Sequence, residues 1–266
     1  MKENSPDSVL EVIQALLGPK GCPWDKEQTP ESLCDYLVEE TFELVDALRR
    51  GENQEISEEL GDVFFILFFL SHLLQGRGAI HDLAAVWADN ARKMKRRHPH
   101  VFSDVSVSSP EEVNAQWETI KRREKESAQS GTYVQSSINS IPSSLPPLLR
   151  AYRLHAKAAK AGFTWAADQD QEEAVRAEWA EWTQALSEGH QDRCEEEFGD
   201  LLFSLVESGR RQGIKANAAV HRANIKFVRR FQAMLDLANE RDLDWDALSM
   251  EQKDALWQEV KQICVG

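Results

Sequence analysis

Residues 39–62 read EETFELVDALRRGENQEISEELGD, and residues 177–200 read AEWAEWTQALSEGHQDRCEEEFGD. Glu40, Glu43, Glu59 and Asp62 of the first stretch recur as Glu178, Glu181, Glu197 and Asp200 of the second, each displaced by 138. Acids three residues apart share one face of a helix, so each stretch predicts two facing helices with two acids on each. The acids prolong core-facing stripes instead of lying opposite them. Tyr36, Glu40, Glu43 and Ala47 fall on one face, and Glu59 and Asp62 lead into Ile66, Phe69 and Leu73. Four carboxylates converging there repel one another unless a cation holds them. Oxygen ligands without His or Cys select a hard ion, Mg2+ with Mn2+ as a substitute. In a chain with 45 Asp and Glu, a lone ExxE pair is usually a solvated helix face; the duplication at one fixed displacement separates these acids from that background.

Around the acids, helix signals dominate. Ser5-Pro6, Thr29-Pro30 and Ser109-Pro110 read as N-caps followed by Pro at the first helical position. Helices are expected over Pro6 to Leu17, Pro30 to Arg50, Ile56 to Gln75, Ile80 to Arg97 and Pro110 to Glu126. Gly18, Gly51, Gly76 and Gly78 stand where helices should stop. No alternating apolar pattern of useful length occurs, so the fold class is all-α. The apolar run Val63 to Leu70 is too short to span a bilayer and reads as a deeply buried helix that also suits contact with another subunit.

The duplication divides the chain into residues 1–126, a Ser/Pro-rich linker over 127–147 without helical periodicity, and residues 148–266. The second half repeats the first in order, with a helix near Leu148 to Ala161, a Gly162-x-x-Trp165 turn matching Gly21 to Trp24, two acid-bearing helices and a basic helix. The net charge of −14 and pI near 5 exclude a nucleic-acid polymer or an anionic membrane as the expected partner. Cys22, Cys34, Cys194 and Cys264 form no CxxC or zinc spacing, and the polar stretch Met1 to Asp7 does not read as a signal peptide. Reduced thiols in a cytoplasmic protein are expected.

Lys226 and Arg230 share a helix face, as do Lys93 and Arg97. Carboxylates with a divalent ion beside a fixed Lys/Arg pair suit a polyphosphate, the Lys as a point charge and the Arg as a two-oxygen fork. Positive charge at a helix C-terminus is the plainer explanation, strongest for Lys93 and Arg97 because Pro99 soon follows. No glycine-rich phosphate loop competes. His98-Pro99-His100 reads as a helix-ending turn before it reads as a metal site, and Trp257, on an amphipathic helix from Met250 to Ile263, as a core residue before a base-stacking one.

GCPWDKEQT (Gly21 to Thr29), EETFELVDAL (Glu39 to Leu48), EELGDVFF (Glu58 to Phe65), KRRHPHVF (Lys95 to Phe102), EEEFGDLLF (Glu195 to Phe203) and NIKFVRRF (Asn224 to Phe231) resemble the MazG family of nucleoside triphosphate pyrophosphohydrolases in its tandem two-domain form. The resemblance implies all-α domains that dimerise into four-helix bundles. It also implies Mg2+-dependent cleavage of NTPs or dNTPs between the α and β phosphates, to a nucleoside monophosphate and pyrophosphate, with broad base specificity. The family's metal motif maps onto Glu39, Glu40, Glu43, Glu59 and Asp62, and onto Glu178, Glu181, Glu197 and Asp200. The outer Glu39 or one of the site acids would act as general base. Nucleotide contacts would fall on Lys226, Arg230 and Trp257, with Arg193 standing where the family often has Lys. Ala177 replaces the first acid of the pair in the second half, yet the Lys226, Arg230 and Trp257 complement favours catalysis there. A phosphoribosyl-ATP pyrophosphohydrolase would share the acid helices but would be shorter and single. A di-iron bundle would need Glu-x-x-His, which neither acid helix carries. One half could instead be a non-catalytic nucleotide or alarmone sensor. A homodimer with like halves paired is expected, because one hairpin cannot bury Val63 to Leu70.

Overall fold

The computed structural model describes residues 5–126 and 133–263, and among these no strand occurs. The helices are α1 (Pro6–Leu17), α2 (Pro23–Glu27), α3 (Leu33–Arg50), α4 (Asn53–Gly76), α5 (Leu83–Arg97), α6 (Pro99–Phe102), α7 (Pro110–Glu126), α8 (Tyr133–Asn139), α9 (Pro147–Lys160), α10 (Asp168–Glu188), α11 (Gln191–Arg211), α12 (Ala216–Glu240) and α13 (Met250–Ile263). The chain divides into two compact units, Met1–Lys121 and Arg122–Gly266. No helix among the described residues is long and apolar enough to cross a membrane.

In the first unit, α3 and α4 form an antiparallel hairpin turned by Gly51. Its φ of 76° is the left-handed cap conformation that Gly adopts without steric cost, and its N–H donates to Ala47 O. Gly189, 138 residues on, turns α10 into α11 in the same way, with φ 72° and a bond to Ala185 O. α1 lies against α4, where Ile13, Leu33 and Phe69 are fully enclosed by Val9, Leu17, Phe65, Phe68, Leu70 and Leu73. Burial of each such side chain contributes on the order of 1.5–3 kcal/mol.

In the second unit, α10 and α11 form the equivalent hairpin and α9 takes the place of α1. α12 and α13 pair around Met234, Ala238, Leu256 and Val260. Where the first unit has Phe69, the second has Glu207, only 4% exposed and bonded through both oxygens to Arg210 at 2.6 and 2.8 Å. The Arg210 guanidinium holds the Glu207 carboxyl below its usual range. His155 joins this pair, its Nδ1 lying 3.5 Å from Glu207 and its Nε2 3.0 Å from Phe203 O, and burial pushes its pKa down.

Several expectations need correction. α4 is not buried all round: Phe69 is enclosed, but Phe64 is 50% exposed and Leu60 and Leu67 are also exposed. Residues 127–147 are not uniformly non-helical. Residues 127–132 lie outside the described residues, but α8 packs on α9, Ile141 is 7% exposed, and Lys157 Nζ donates to Ser137 O at 2.8 Å. α3 is regular only from Leu33, with a turn over 30–32, but Thr29 caps it as expected: Thr29 and Ser32 bond each other reciprocally, N–H to hydroxyl, at 2.9 and 3.1 Å. α4 starts at Asn53, earlier than expected, and α5 at Leu83, where Asp82 accepts from Ala85 N–H. Ser109 caps α7 by accepting from Glu112 N–H at 3.2 Å, whereas Ser5 makes no side-chain cap.

Candidate functional site

The acids lie where the two hairpins bring their arms together. Oxygens of Glu40, Glu43 and Glu59 lie within 4.8 Å of one another, as do those of Glu178, Glu197 and Asp200. The fourth acid of each set, Asp62 or Glu181, is exposed beside the trio. Its charge is still felt. Burial, then the charges of Asp62, Glu43 and Glu59, push the Glu40 carboxyl up, and burial with Asp200, Glu181 and Glu197 does the same to Glu178. Glu59 is raised as well, by desolvation and then by Glu43 and Asp62. Carboxylates that raise one another's pKa lack a counter-charge, and a trio of oxygens this close suits a hard divalent cation. Glu39 is exposed, one residue before Glu40 on α3.

The clusters differ in what flanks them. Arg50 pairs with Glu55 across the first hairpin turn, and Glu188 pairs with Arg193 across the second. These positions correspond under the 138-residue displacement, so the ion pair is kept with its polarity reversed. In the first hairpin the charges suit the helix ends, with Arg in the last turn of α3 and Glu in the first turn of α4. The second hairpin opposes both helix dipoles. In exchange, Arg193 Nε comes to 3.5 Å from Glu197 Oε1, placing a guanidinium at the edge of the acids. At the matching position Glu55 adds a further negative charge beside Glu59.

The other residues singled out from sequence are placed unequally. Lys226 is exposed on α12 and lines an open groove of about 480 Å³ with Ala219, Arg222, Ala223, Ile225 and Arg229. Arg230, half-buried one turn on, has a buried Nε without a hydrogen-bond partner. Trp257 is partly buried against the α12–α13 core, its ring 5.6 Å from Phe227. In the first unit, Arg97 lies over the Trp117 ring at 5.6 Å, and Lys93 is half-buried a turn earlier. His98 Nδ1 meets Met94 O at 2.7 Å and His100 Nδ1 meets Gln116 at 3.1 Å, which builds the helix-ending turn.

Sequence reasoning missed an aromatic pair near the first cluster. Trp24 and Tyr36 meet edge to face, with centroids 5.7 Å apart at 80°. Tyr36 was visible as part of the Glu40 stripe, but its pairing with Trp24 depends on the turn between α1 and α2.

The profile of the MazG nucleotide pyrophosphohydrolase domain matches residues 28–102. Over 267 residues the chain is 39% identical to the nucleoside triphosphate pyrophosphohydrolase of Escherichia coli strain K12, covering 97% of this chain and 98% of that protein. It is 36% identical over 258 residues to the nucleoside triphosphate pyrophosphohydrolase/pyrophosphatase MazG of Thermotoga maritima, covering 96% and 95%. The crystal structure of a MazG-related protein from Thermotoga maritima covers 44% of this chain and 98% of its own, at 27% identity and a TM-score of 0.39.

Proposed function

Because this chain belongs to the MazG family of nucleoside triphosphate pyrophosphohydrolases, we propose that it hydrolyses (deoxy)nucleoside triphosphates to monophosphate and pyrophosphate at its carboxylate clusters, with broad base specificity. The observation that carries this is the pair of trios, Glu40/Glu43/Glu59 and Glu178/Glu197/Asp200, each closed to within 4.8 Å on facing helices. All-oxygen donors that repel one another without a counter-ion fit Mg2+, with Mn2+ as substitute. When bound, the ion supplies charge neutralisation for the triphosphate and a more acidic water.

The protein's residues do the rest. Water oxygen bonds to the α phosphorus as the bridging bond to the β phosphate breaks, and pyrophosphate leaves with the electron pair. A carboxylate outside the tight trio accepts the water's proton: Glu181 in the second unit, where Ala177 replaces the Glu39 of the first. Lys226 and Arg230 on α12, with Arg193 at the cluster edge, meet the phosphate charge as it shifts to the leaving group. Trp257 stacks on the base, and stacking without a set of buried hydrogen-bonding groups gives loose base preference. This complement favours the second unit as the main catalytic one.

A homodimer with like units paired accounts for the exposed apolar faces of the acid hairpins, Leu60, Phe64 and Leu67 in one and Phe198, Leu202 and Leu205 in the other. Gly61 and Gly199, beside the acids, would meet nothing within 4 Å if given a Cβ, so the single chain leaves open space at both. The unpaired thiols of Cys22, Cys34 and Cys194 suit the reducing cytoplasm; Cys264 lies outside the described residues.

The test is product analysis over a panel of NTPs and dNTPs with EDTA, then Mg2+ or Mn2+. Monophosphate and pyrophosphate should appear only with metal; orthophosphate and diphosphate would overturn the cleavage position. A second reading, in which the first unit senses nucleotides without hydrolysing them, is favoured by the flank of its cluster, which has Glu55, held by Arg50, where the second has Arg193 beside its acids.

A further inference from the structure

We propose that Trp24 and Tyr36 form a nucleobase platform, so that the first unit holds a nucleotide through groups of its own and is not merely a structural duplicate. The proposal rests on reading the first acid cluster as a metal–triphosphate site. Tyr36 lies one helical turn before Glu40 on the same face of α3, about 6 Å along the axis, and about 10 Å before Glu43. A triphosphate held at Glu40, Glu43 and Glu59 thus has an aromatic ring one ribose-length away, in line with the acids.

The ring pair is open and rigidly placed. Trp24 is 51% and Tyr36 37% exposed, although large aromatic surface is costly to leave in water. Their edge-to-face contact leaves ring faces free for a planar ligand. The turn carrying Trp24 is closely built. Cys22 N–H bonds Leu16 O at 2.9 Å, and a Cβ on Gly21 would come within 1.9 Å of that same oxygen, so no other residue fits there. Pro23 opens α2, Lys26 Nζ donates to Pro19 O at 3.1 Å, and Gln28 donates to Trp24 O at 3.1 Å.

The other tryptophans of this unit are worse placed. Trp117 is engaged by the His98 edge at 4.7 Å and by Arg97. Trp87 lies against Phe68, six residues past Asp62 and on another face of α4. The second unit keeps a tryptophan, Trp165, but has Ala174 at the position matching Tyr36, so the pair belongs to the first unit alone.

The experiment uses the full chain carrying Asp200→Ala, so that binding reports the first cluster, with Mn2+ and calorimetry. The two probes are a non-hydrolysable α,β-methylene dNTP and inorganic tripolyphosphate, which lacks a base. Tyr36→Ala and Trp24→Ala should each weaken the nucleotide by at least about fivefold and leave tripolyphosphate unchanged, while Tyr36→Phe and Trp24→Phe should retain nucleotide affinity. Unchanged nucleotide affinity in both alanine variants overturns the platform while leaving the cluster reading standing. Parallel loss of both probes in Tyr36→Ala assigns the pair a structural role and likewise overturns it. If tripolyphosphate fails to bind the Asp200→Ala chain at all, the cluster reading fails and the platform with it.

Discussion

Arg193 Nε lies 3.5 Å from Glu197 Oε1, so one carboxylate of the second acid cluster has a positive neighbour that Glu59 in the first cluster lacks. A guanidinium there can turn from carboxylate to phosphate when substrate arrives. Arg193→Ala should raise KM for NTPs by about tenfold, the loss expected for a hydrogen bond to a charged group. Arg193→Glu, which restores the charge the first unit carries at Glu55, should be worse, and Arg193→Lys should recover most affinity. Steady-state kinetics at saturating Mg2+ decide it; an unchanged KM in Arg193→Ala would remove Arg193 from the substrate site.

The two acid sets should contribute unequally to turnover. Glu197→Ala or Asp200→Ala should lower kcat/KM by about a hundredfold or more, since a missing carboxylate weakens the ion and misplaces the attacking water. Glu59→Ala or Asp62→Ala should keep much of the activity. Should the first-unit variants be the inactive ones, the roles of the units are reversed.

If the acid clusters hold the metal as proposed and the unfolded chain does not, metal should stabilise the fold. At about 100 times Kd, one site adds roughly 2.7 kcal/mol. A thermal melt with Mn2+ should therefore shift upward for the native chain and remain flat for the double variant Glu59→Ala with Asp200→Ala, which removes one carboxylate from each trio.

Glu31 gives a pH signature. Arg77 grips both its oxygens at 2.7 Å and holds its pKa at about 2. A carboxylate depressed in the folded state contributes stability above its unfolded pKa, near 4.5, and loses it as pH falls toward about 2. The difference in urea midpoint between the native chain and Glu31→Gln should be constant above pH 6 and shrink below pH 4.5. Both groups are exposed, so the difference should be small; one that widens in acid would contradict the assignment.

Glu207→Ala should destabilise the second unit by about 1–3 kcal/mol, because it leaves the partly buried Arg210 guanidinium without its partner. Joint replacement of Glu207 by Phe, Arg210 by Met and His155 by Leu should recover much of that loss, since the first unit has Phe69 and Leu17 at the places matching Glu207 and His155, with His72 at that of Arg210. Denaturant titration of the three chains makes the comparison.

Much of this was legible in the sequence. The spans of α1, α7 and α13 follow directly from Pro at the first turn and helical periodicity, and the carboxylates of each half come together because i,i+3 acids on adjoining helices have one way to face each other. What escaped depends on contacts distant in sequence. α8 lies in a Ser-rich stretch of weak propensity and is held by α9, through Lys157 and the burial of Ile141, although Val134, Ile138 and Ile141 carried a faint helical spacing. The exposure of Phe64 and Leu67 agrees with the expectation that one hairpin cannot bury Val63 to Leu70, but which residues of the run are enclosed, Phe69 above all, could not be read from apolarity alone. Trp24 and Tyr36 are joined only once the Gly21 turn is built.

The reversed ion pair also bears on how a chain with two similar hairpins avoids folding into the wrong one. Tandem repeats are prone to exchange equivalent elements while both are still forming. If α3 docked on α11, Arg50 would face Arg193; if α10 docked on α4, Glu188 would face Glu55. Both mispairings set like charges across the turn, whereas both native pairings set opposite ones. Two inverted charges thus bias assembly, only weakly for pairs this exposed, against hybrids that the shared acid pattern would otherwise accept.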